Sequence, residues 1–392
     1  MKLAVLAGCL LALLPIATWA QRAGPADAQK RAAQTLEQQN KFAEAEAAWR
    51  AYSHTHPEDP EPWAHLGLLE ARQQHYAEAV PLYRRALHMN PDVPGLRLNL
   101  GLALFKGGQP REAILEFRTL LRTAPPNSPQ AQRLRLLIGT ADYGLGEYAE
   151  AVPYLQSAAV RDPQNLPLRL ALAHSCLWSK QYQCVMDTYR EILTLNAASA
   201  EADMLAGEAL DAMRDDTGAM EQFRAAEKAN PRQPYVHFAL AWLLMAQKRY
   251  QDAIPEFQAE LVNDPSHTLA RVYLADCYVR LEDHQHAQPE LERALQEDPS
   301  IERTHLDLGI IYAAQGKNNA ALAQLQEAIR LDPKDADPHW RLARLYQAIG
   351  QTDKARAESV LVSKMKKQAY QSVVQQISGT QKMPSPEAPG PE

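Results

Sequence analysis

The sequence predicts an all-α fold, a solenoid of about ten helix pairs, and three observations predict it. Prolines recur every 34 residues: Pro57, Pro91 and Pro125 keep the period, Pro163 arrives four residues late, and Pro231, Pro265, Pro299 and Pro333 resume it. Ala197 stands where one proline is missing. The unit between prolines holds two helical patterns and one turn. In Glu302 to Asp335, Leu308, Gly309 and Tyr312 share one helix face and Ala321, Leu325 and Ala328 share another, with Gly316 ending the first helix and Pro333 stopping the second. Finally, such a unit cannot stay folded alone. Ordering its backbone costs about 1–2 kcal/mol per residue, while each buried Leu returns about 1.5–3 kcal/mol. It must stack on copies of itself.

The copies run 26–59, 60–93, 94–127, 132–165, 166–199, 200–233, 234–267, 268–301, 302–335 and 336–369. Position 8 of each is Gly or Ala, from Ala33 and Gly67 to Gly309 and Ala343, so that two helix backbones can approach closely. Position 20 is the matching small residue, Ala in every copy except Val185. Position 24 is a large knob: Trp49, Tyr83, Phe117, Leu155, Tyr189, Phe223, Phe257, Leu291 and Leu325. This code resembles the tetratricopeptide repeat family, whose pattern of Trp, Leu, Gly, Tyr, then Gly, Tyr, Ala, Phe, Ala and Pro shows best in Trp63, Leu66, Gly67, Tyr76, Ala79, Tyr83, Ala86 and Pro91. The resemblance covers 26–369. It implies a right-handed superhelix with a groove lined by the first helix of each repeat, and it says little about reaction or partner.

Residues 1–20 read as a secretory signal peptide: Lys2 supplies the basic end, Leu3 to Ile16 an apolar run, and Thr18 and Ala20 a small-residue cleavage site. The run is short of the ~20 residues a membrane span needs, which sets it apart from an anchor. Leu6-Ala7-Gly8-Cys9 looks like a bacterial lipoprotein box, but most of the apolar segment follows Cys9. Either way the expectation is export, to the periplasm or cell envelope. Residues 21–25 form a leader, and the first repeat, with Lys30, Arg31, Gln34, Glu37 and Gln38 on its first helix, is a wet N-terminal cap. The four extra residues fall in 126–131, PNSPQA, which reads as a loop between repeats and a hinge. Pro81, Pro153, Pro255 and Pro289 sit at position 22, early in the second helix, where the lost hydrogen bond costs least. Cys176 and Cys184 lie on opposite sides of the helix–helix turn of one repeat, either bridged or as two buried thiols, and Cys277 reads as core. Beyond the last repeat an apolar stripe of Val362, Met365, Ala369, Val373 and Ile377 predicts a C-terminal capping helix extended through 370–378. The Pro-rich 379–392 reads as a disordered tail.

A formal charge of −6 without long single-sign blocks shows no nucleic-acid footprint. The signal, repeats, cap and tail use up the chain, leaving no catalytic domain, and neither a phosphate loop nor a nucleophile elbow is present. His54 with His56, and His284 with His286, lack acid or thiol ligands at metal spacing. No cofactor, no metal and no enzymatic activity are expected.

The groove face of each first helix is positions 2, 5, 9 and 12. Position 5 is apolar nearly throughout, from Ala64 and Leu98 to Leu306 and Trp340. Position 9, usually polar in the family, holds Leu68, Leu102, Trp242 and Ile310, with Glu208 and Asp276 on either side of Trp242. The seventh repeat thus sets Tyr235, Phe238, Trp242 and Met245 along one face, and the sixth sets Glu201, Glu208 and Asp211 along its own. Aromatic residues beside carboxylates suit a partner segment with an apolar anchor and a Lys or Arg. These eight residues, Asp276 included, are the candidate partner-binding set. Packing of the rings on one another, and self-association, are the competing readings. The Lys and Asn set with which some family members clamp a C-terminal carboxylate is missing, since Lys30 at position 5 is followed by Gln34 at position 9. The Asn ladder of the sugar-transferring members is also missing, since only Asn99 stands at position 6. The expectation is a non-enzymatic scaffold or adaptor of the bacterial envelope that binds a protein segment, for assembly of an envelope or secretion complex. A regulatory or substrate-presenting subunit of an envelope enzyme, or a glycan-binding module, fits the same residues. Membrane contact would need an uncleaved signal or a lipid.

Overall fold

The computed structural model describes residues 25–379, so the expected signal segment, leader to residue 24 and tail from residue 380 lie outside the described residues. Its regular structure is entirely helical, with twenty α-helices and no strand among the described residues. The first six repeats form α1 (Pro25–Gln38) and α2 (Phe42–Thr55), α3 (Pro60–Arg72) and α4 (Tyr76–Met89), α5 (Leu96–Lys106) and α6 (Pro110–Thr123), α7 (Pro129–Leu145) and α8 (Tyr148–Arg161), α9 (Leu166–Trp178) and α10 (Tyr182–Leu195), α11 (Ala200–Ala212) and α12 (Asp216–Ala229). The last four form α13 (Val236–Ala246) and α14 (Tyr250–Asn263), α15 (Thr268–Arg280) and α16 (His284–Glu297), α17 (Glu302–Ala314) and α18 (Asn318–Leu331), α19 (Ala336–Ala348) and α20 (Thr352–Gly379). The chain divides into two compact units after Ala226, inside α12.

One backbone device makes every helix pair. Position 15, the turn between the two helices, has a positive φ in all ten repeats: Gly108, Gly146, Gly316 and Gly350 take it as glycines, and Asn40, Gln74, Lys180, Arg214, Lys248 and Glu282 as polar residues. At Gly316 the turn closes with Gly316 N–H donating to Ala313 O at 3.1 Å and Lys317 N–H to Tyr312 O at 2.9 Å, which satisfies carbonyls the helix end would otherwise orphan. The small and large positions then lock. A Cβ on Gly309 would lie 2.7 Å from Leu325, and one on Gly101 would lie 2.5 Å from Phe117. Trp49, Tyr83, Phe117, Leu155, Phe257 and Leu291 are fully buried.

Two boundaries differ from the sequence expectation. Pro129 to Ala131 are helical rather than loop, because Ser128 caps α7 by accepting from Ala131 N–H at 3.1 Å and Pro129 fits the first turn. Most of the four-residue insertion is thereby taken up as an extra turn of α7. On α20, Val362 is buried and Met365 half-buried, but Ala369 is exposed, so the predicted apolar stripe packs only over its first part. The side chains of Val373 and Ile377 lie outside the described residues.

Cys176 and Cys184 are joined by a disulfide across the α9–α10 turn, with Cα atoms 5.8 Å apart. Cys277 is a buried free thiol, which burial pushes up to about 12. In the C-terminal unit, position 4, the family's Trp position, is instead a buried polar residue tied to its own second helix and to the preceding repeat. His237 bonds Glu256 at 2.8 Å and the carbonyl of Pro231 at 3.1 Å. Arg271 donates to Glu290 at 2.8 Å and to the carbonyl of Pro265 at 2.7 Å, and His305 bonds Gln324 at 2.7 Å and the carbonyl of Pro299 at 2.9 Å. His339 repeats the first of these links, to Glu358 at 2.7 Å.

Candidate functional site

The aromatic face of the seventh repeat is built from a shortened first helix. After Pro234 the chain takes a left-handed residue, Tyr235 at φ 66°, before α13 starts at Val236. The N-terminus of α13 is closed from α14: Glu260, 3% exposed, accepts the Phe238 N–H at 3.2 Å and lies 3.3 Å from His267 Nδ1. That fixes Phe238 and, one turn on, Trp242. Their rings lie nearly parallel at 6.4 Å, Trp242 meets Tyr273 edge-on at 5.1 Å, and Phe238 also packs against Phe257 at 5.8 Å and His267 at 4.8 Å. Tyr235 rests its ring edge-on against His267 at 5.2 Å. The rings do pack on one another within this unit, as the competing reading holds, yet Tyr235 stays 57% exposed and Trp242 40%. Met245 is half-buried beside them in sequence.

Position 9 separates this repeat from the others. Leu68 and Leu102 are buried and Ile310 is half-buried, so Trp242 is the exposed one of the four apolar residues at that position. Position 5 is mostly packing, since Ala64, Leu98, Val272 and Leu306 are buried, with Trp340 the exception at 38%. Tyr273 is a wall residue that sequence reasoning missed. Burial raises its phenol, and the charges of Asp276 and Glu302 push the same way while Arg303 opposes them.

Asp276 must be removed from the open carboxylates. It is 4% exposed and already holds Arg280 Nε at 3.2 Å and a guanidinium nitrogen of Arg303. Arg303 in turn donates to Asp307 at 3.2 Å, whose carboxyl is raised by complete burial despite that partner. Position 9 in the eighth repeat therefore fastens repeats to each other. In the N-terminal unit, Glu201 and Glu208 are exposed on α11 and Asp211 is half-buried. Glu201 reaches His174 Nε2 at 3.2 Å. Desolvation by surrounding protein raises the Glu208 carboxyl above its ordinary value, opposed by His174 and reinforced more weakly by the charge of Asp211.

Glu227, His237 and Glu256 bring ligand-type atoms within 4.8 Å of one another. Both nitrogens of His237 are already engaged by Glu256 and the Pro231 carbonyl, in the bonding that His305 repeats with Gln324 and Pro299. The repeat architecture accounts for the cluster.

Family profiles described as tetratricopeptide repeat match residues 30–94 and 238–300, and 70–138, and one described as TPR repeat matches 309–350. The chain belongs to the tetratricopeptide repeat family. No curated protein sequence matches it. Among solved structures it is similar to YrrB, titled a TPR protein with an unusual peptide-binding site, at 18% identity over 45% of this chain and 91% of that one, TM-score 0.39. It is also similar to a tetratricopeptide repeat protein from Parabacteroides merdae at 17% identity over 64% and 97%, TM-score 0.46. The Cut9–Hcn1 hetero-tetramer of the APC/C gives 17% identity over 71% and 55%, TM-score 0.46. Among the described residues no helix is long and apolar enough to cross a membrane.

Proposed function

We propose that this repeat protein is a non-enzymatic adaptor of the bacterial cell envelope that holds a segment of another protein against the first-helix face of its seventh repeat. The observation that carries the reading is Trp242, 40% exposed at a position where Leu68 and Leu102 are buried, held by Phe238 and Tyr273. An indole immobilised by its neighbours loses little entropy when a partner's apolar side chain covers it, which is what an interface anchor requires. Tyr235 and Met245 extend the anchor. Glu201, Glu208 and Asp211 of the sixth repeat form a separate set in the N-terminal unit, carboxylates suited to a Lys or Arg of a partner. The Cys176–Cys184 disulfide supports an oxidising compartment, in keeping with the signal-like residues 1–20. Assembly of an envelope or secretion complex is the setting we infer.

The test is photo-crosslinking in intact cells that make the protein, with the probe at Trp242 and a control probe at Gln258 on α14. A defined partner captured from 242 alone, and lost when Glu208→Gln and Asp211→Asn are combined, supports both roles. Capture from 258 alone moves the partner to the second helices. A crosslinked dimer of the chain itself from 242 would make the aromatic face a self-contact and end the adaptor reading of it.

A further inference from the structure

We infer that the first helix of the tenth repeat carries a separate anion-reading subsite, Trp340 with Arg341 and Arg344, whose ligand is an acidic protein segment bound through Asp or Glu side chains. The subsite stands independently of the seventh-repeat face.

Two guanidinium groups converge on one indole. Arg341 lies 4.8 Å and Arg344 4.9 Å from the Trp340 ring, which is 38% exposed. Arg341 has partial compensation from Asp337 Oδ1 at 3.5 Å, but its buried Nε lacks a well-formed hydrogen bond. Arg344 is exposed, and among the described residues no carboxylate lies within ion-pair distance of it. Drawing two like charges onto one ring raises their mutual repulsion, and the indole faces offset only part of it. A carboxylate set between them would relieve the repulsion and take donors from both, in the forked geometry that suits Arg.

The surroundings favour the same ligand. Although the chain has a formal charge of −6, residues 336–379, which hold α19 and α20, carry seven Lys or Arg against three Asp or Glu. That local excess of positive charge favours an acidic ligand. At the equivalent position 5, Val272 and Leu306 are fully buried, so position 5 here departs from the packing role it has in the two preceding repeats.

The experiment uses the full chain and two capped peptides without free termini, one alternating Glu and Leu and the other with Gln for Glu, followed by calorimetry. The Glu peptide should bind and the Gln peptide should not. Arg344→Gln should weaken binding by about five-fold with the thermal midpoint unchanged, since Arg344 is a surface residue. Trp340→Leu should weaken it as well, and raising salt from about 0.05 M to about 0.5 M should abolish it. Equal binding of the two peptides, no binding of either, or full retention by Arg344→Gln would overturn the subsite. Binding to vesicles of acidic phospholipid with none to the Glu peptide would also overturn it, in favour of a lipid surface.

Discussion

Asp142 on α7 offers the sharpest test of how this fold is balanced. It is fully buried, its two oxygens make no well-formed hydrogen bond, and its partner Arg118 stands off at 3.5 Å and also approaches Glu150 at 4.0 Å. Burial pushes its carboxyl from 3.8 to about 6, with Arg118 opposing and Glu147 and Glu150 adding to the rise. An acid whose folded value lies above its unfolded one binds more protons folded than unfolded between those two values. Stability is therefore lost as pH rises from about 4 to about 6, and the loss persists above that window. A rise of about two units corresponds to roughly 3 kcal/mol at most. Asp142→Asn keeps the shape without the charge, and the buried amide returns about 1 kcal/mol of that as its own desolvation cost. We expect the variant to be about 2 kcal/mol more stable at pH 8, or about 4–8 °C in thermal midpoint for a unit of this size. At pH 4 to 5 the gain should shrink toward zero. Circular dichroism melts of both proteins at pH 4.5 and 8 decide it. A variant less stable than the parent at pH 8, or a difference independent of pH, would refute the argument.

Three further outcomes follow from the packing. Gly309→Ala should lower the melting temperature, because its Cβ meets Leu325 at 2.7 Å, whereas Gly144→Ala meets nothing within 4 Å and should gain about 0.5–1 kcal/mol of helix propensity. Equal effects at the two sites would contradict the close-approach reading of position 8. Tyr235→Ala should cost about 1 kcal/mol more than Tyr235→Gly, since only glycine takes the φ of 66° freely, and paired denaturant titrations measure that difference. Replacing Cys176 and Cys184 by Ser should cost about 2–3 kcal/mol, as expected for a short closed loop, with reducing agent then having no further effect on the variant's melt.

The repeat period and the small and large positions could be read directly from the sequence because each is a local steric demand made ten times over. Once the backbone of Gly309 must meet Leu325, every copy has to obey, and one copy teaches the rest. The site was only partly legible for the opposite reason. Asp276 reads as a groove carboxylate by position, but its fate is decided by Arg303, 27 residues away, which no helical wheel contains. Tyr273 stands at position 6, outside the groove-facing set, and reaches Trp242 only because neighbouring first helices pack side by side. Trp340 looks like its buried counterparts until its exposure is seen. The cap on α7 was written in plain terms, Ser128 followed by Pro129, yet the surrounding run of prolines and polar residues carries the stronger loop signal.

The position-4 links have a meaning for how such a chain can grow. His237, Arg271 and His305 each find one partner on the second helix of their own repeat and the other on a backbone carbonyl of the repeat before. A carbonyl is offered by any residue whatever its side chain, so this link, unlike the Asp276–Arg303 pair, asks for no particular side chain on its predecessor. A whole unit copied into the array would arrive with its half of the joint already made and find the other half waiting. Length is thus an inexpensive variable for this protein, and the distance between two surface features can change by whole repeats while each keeps its own geometry.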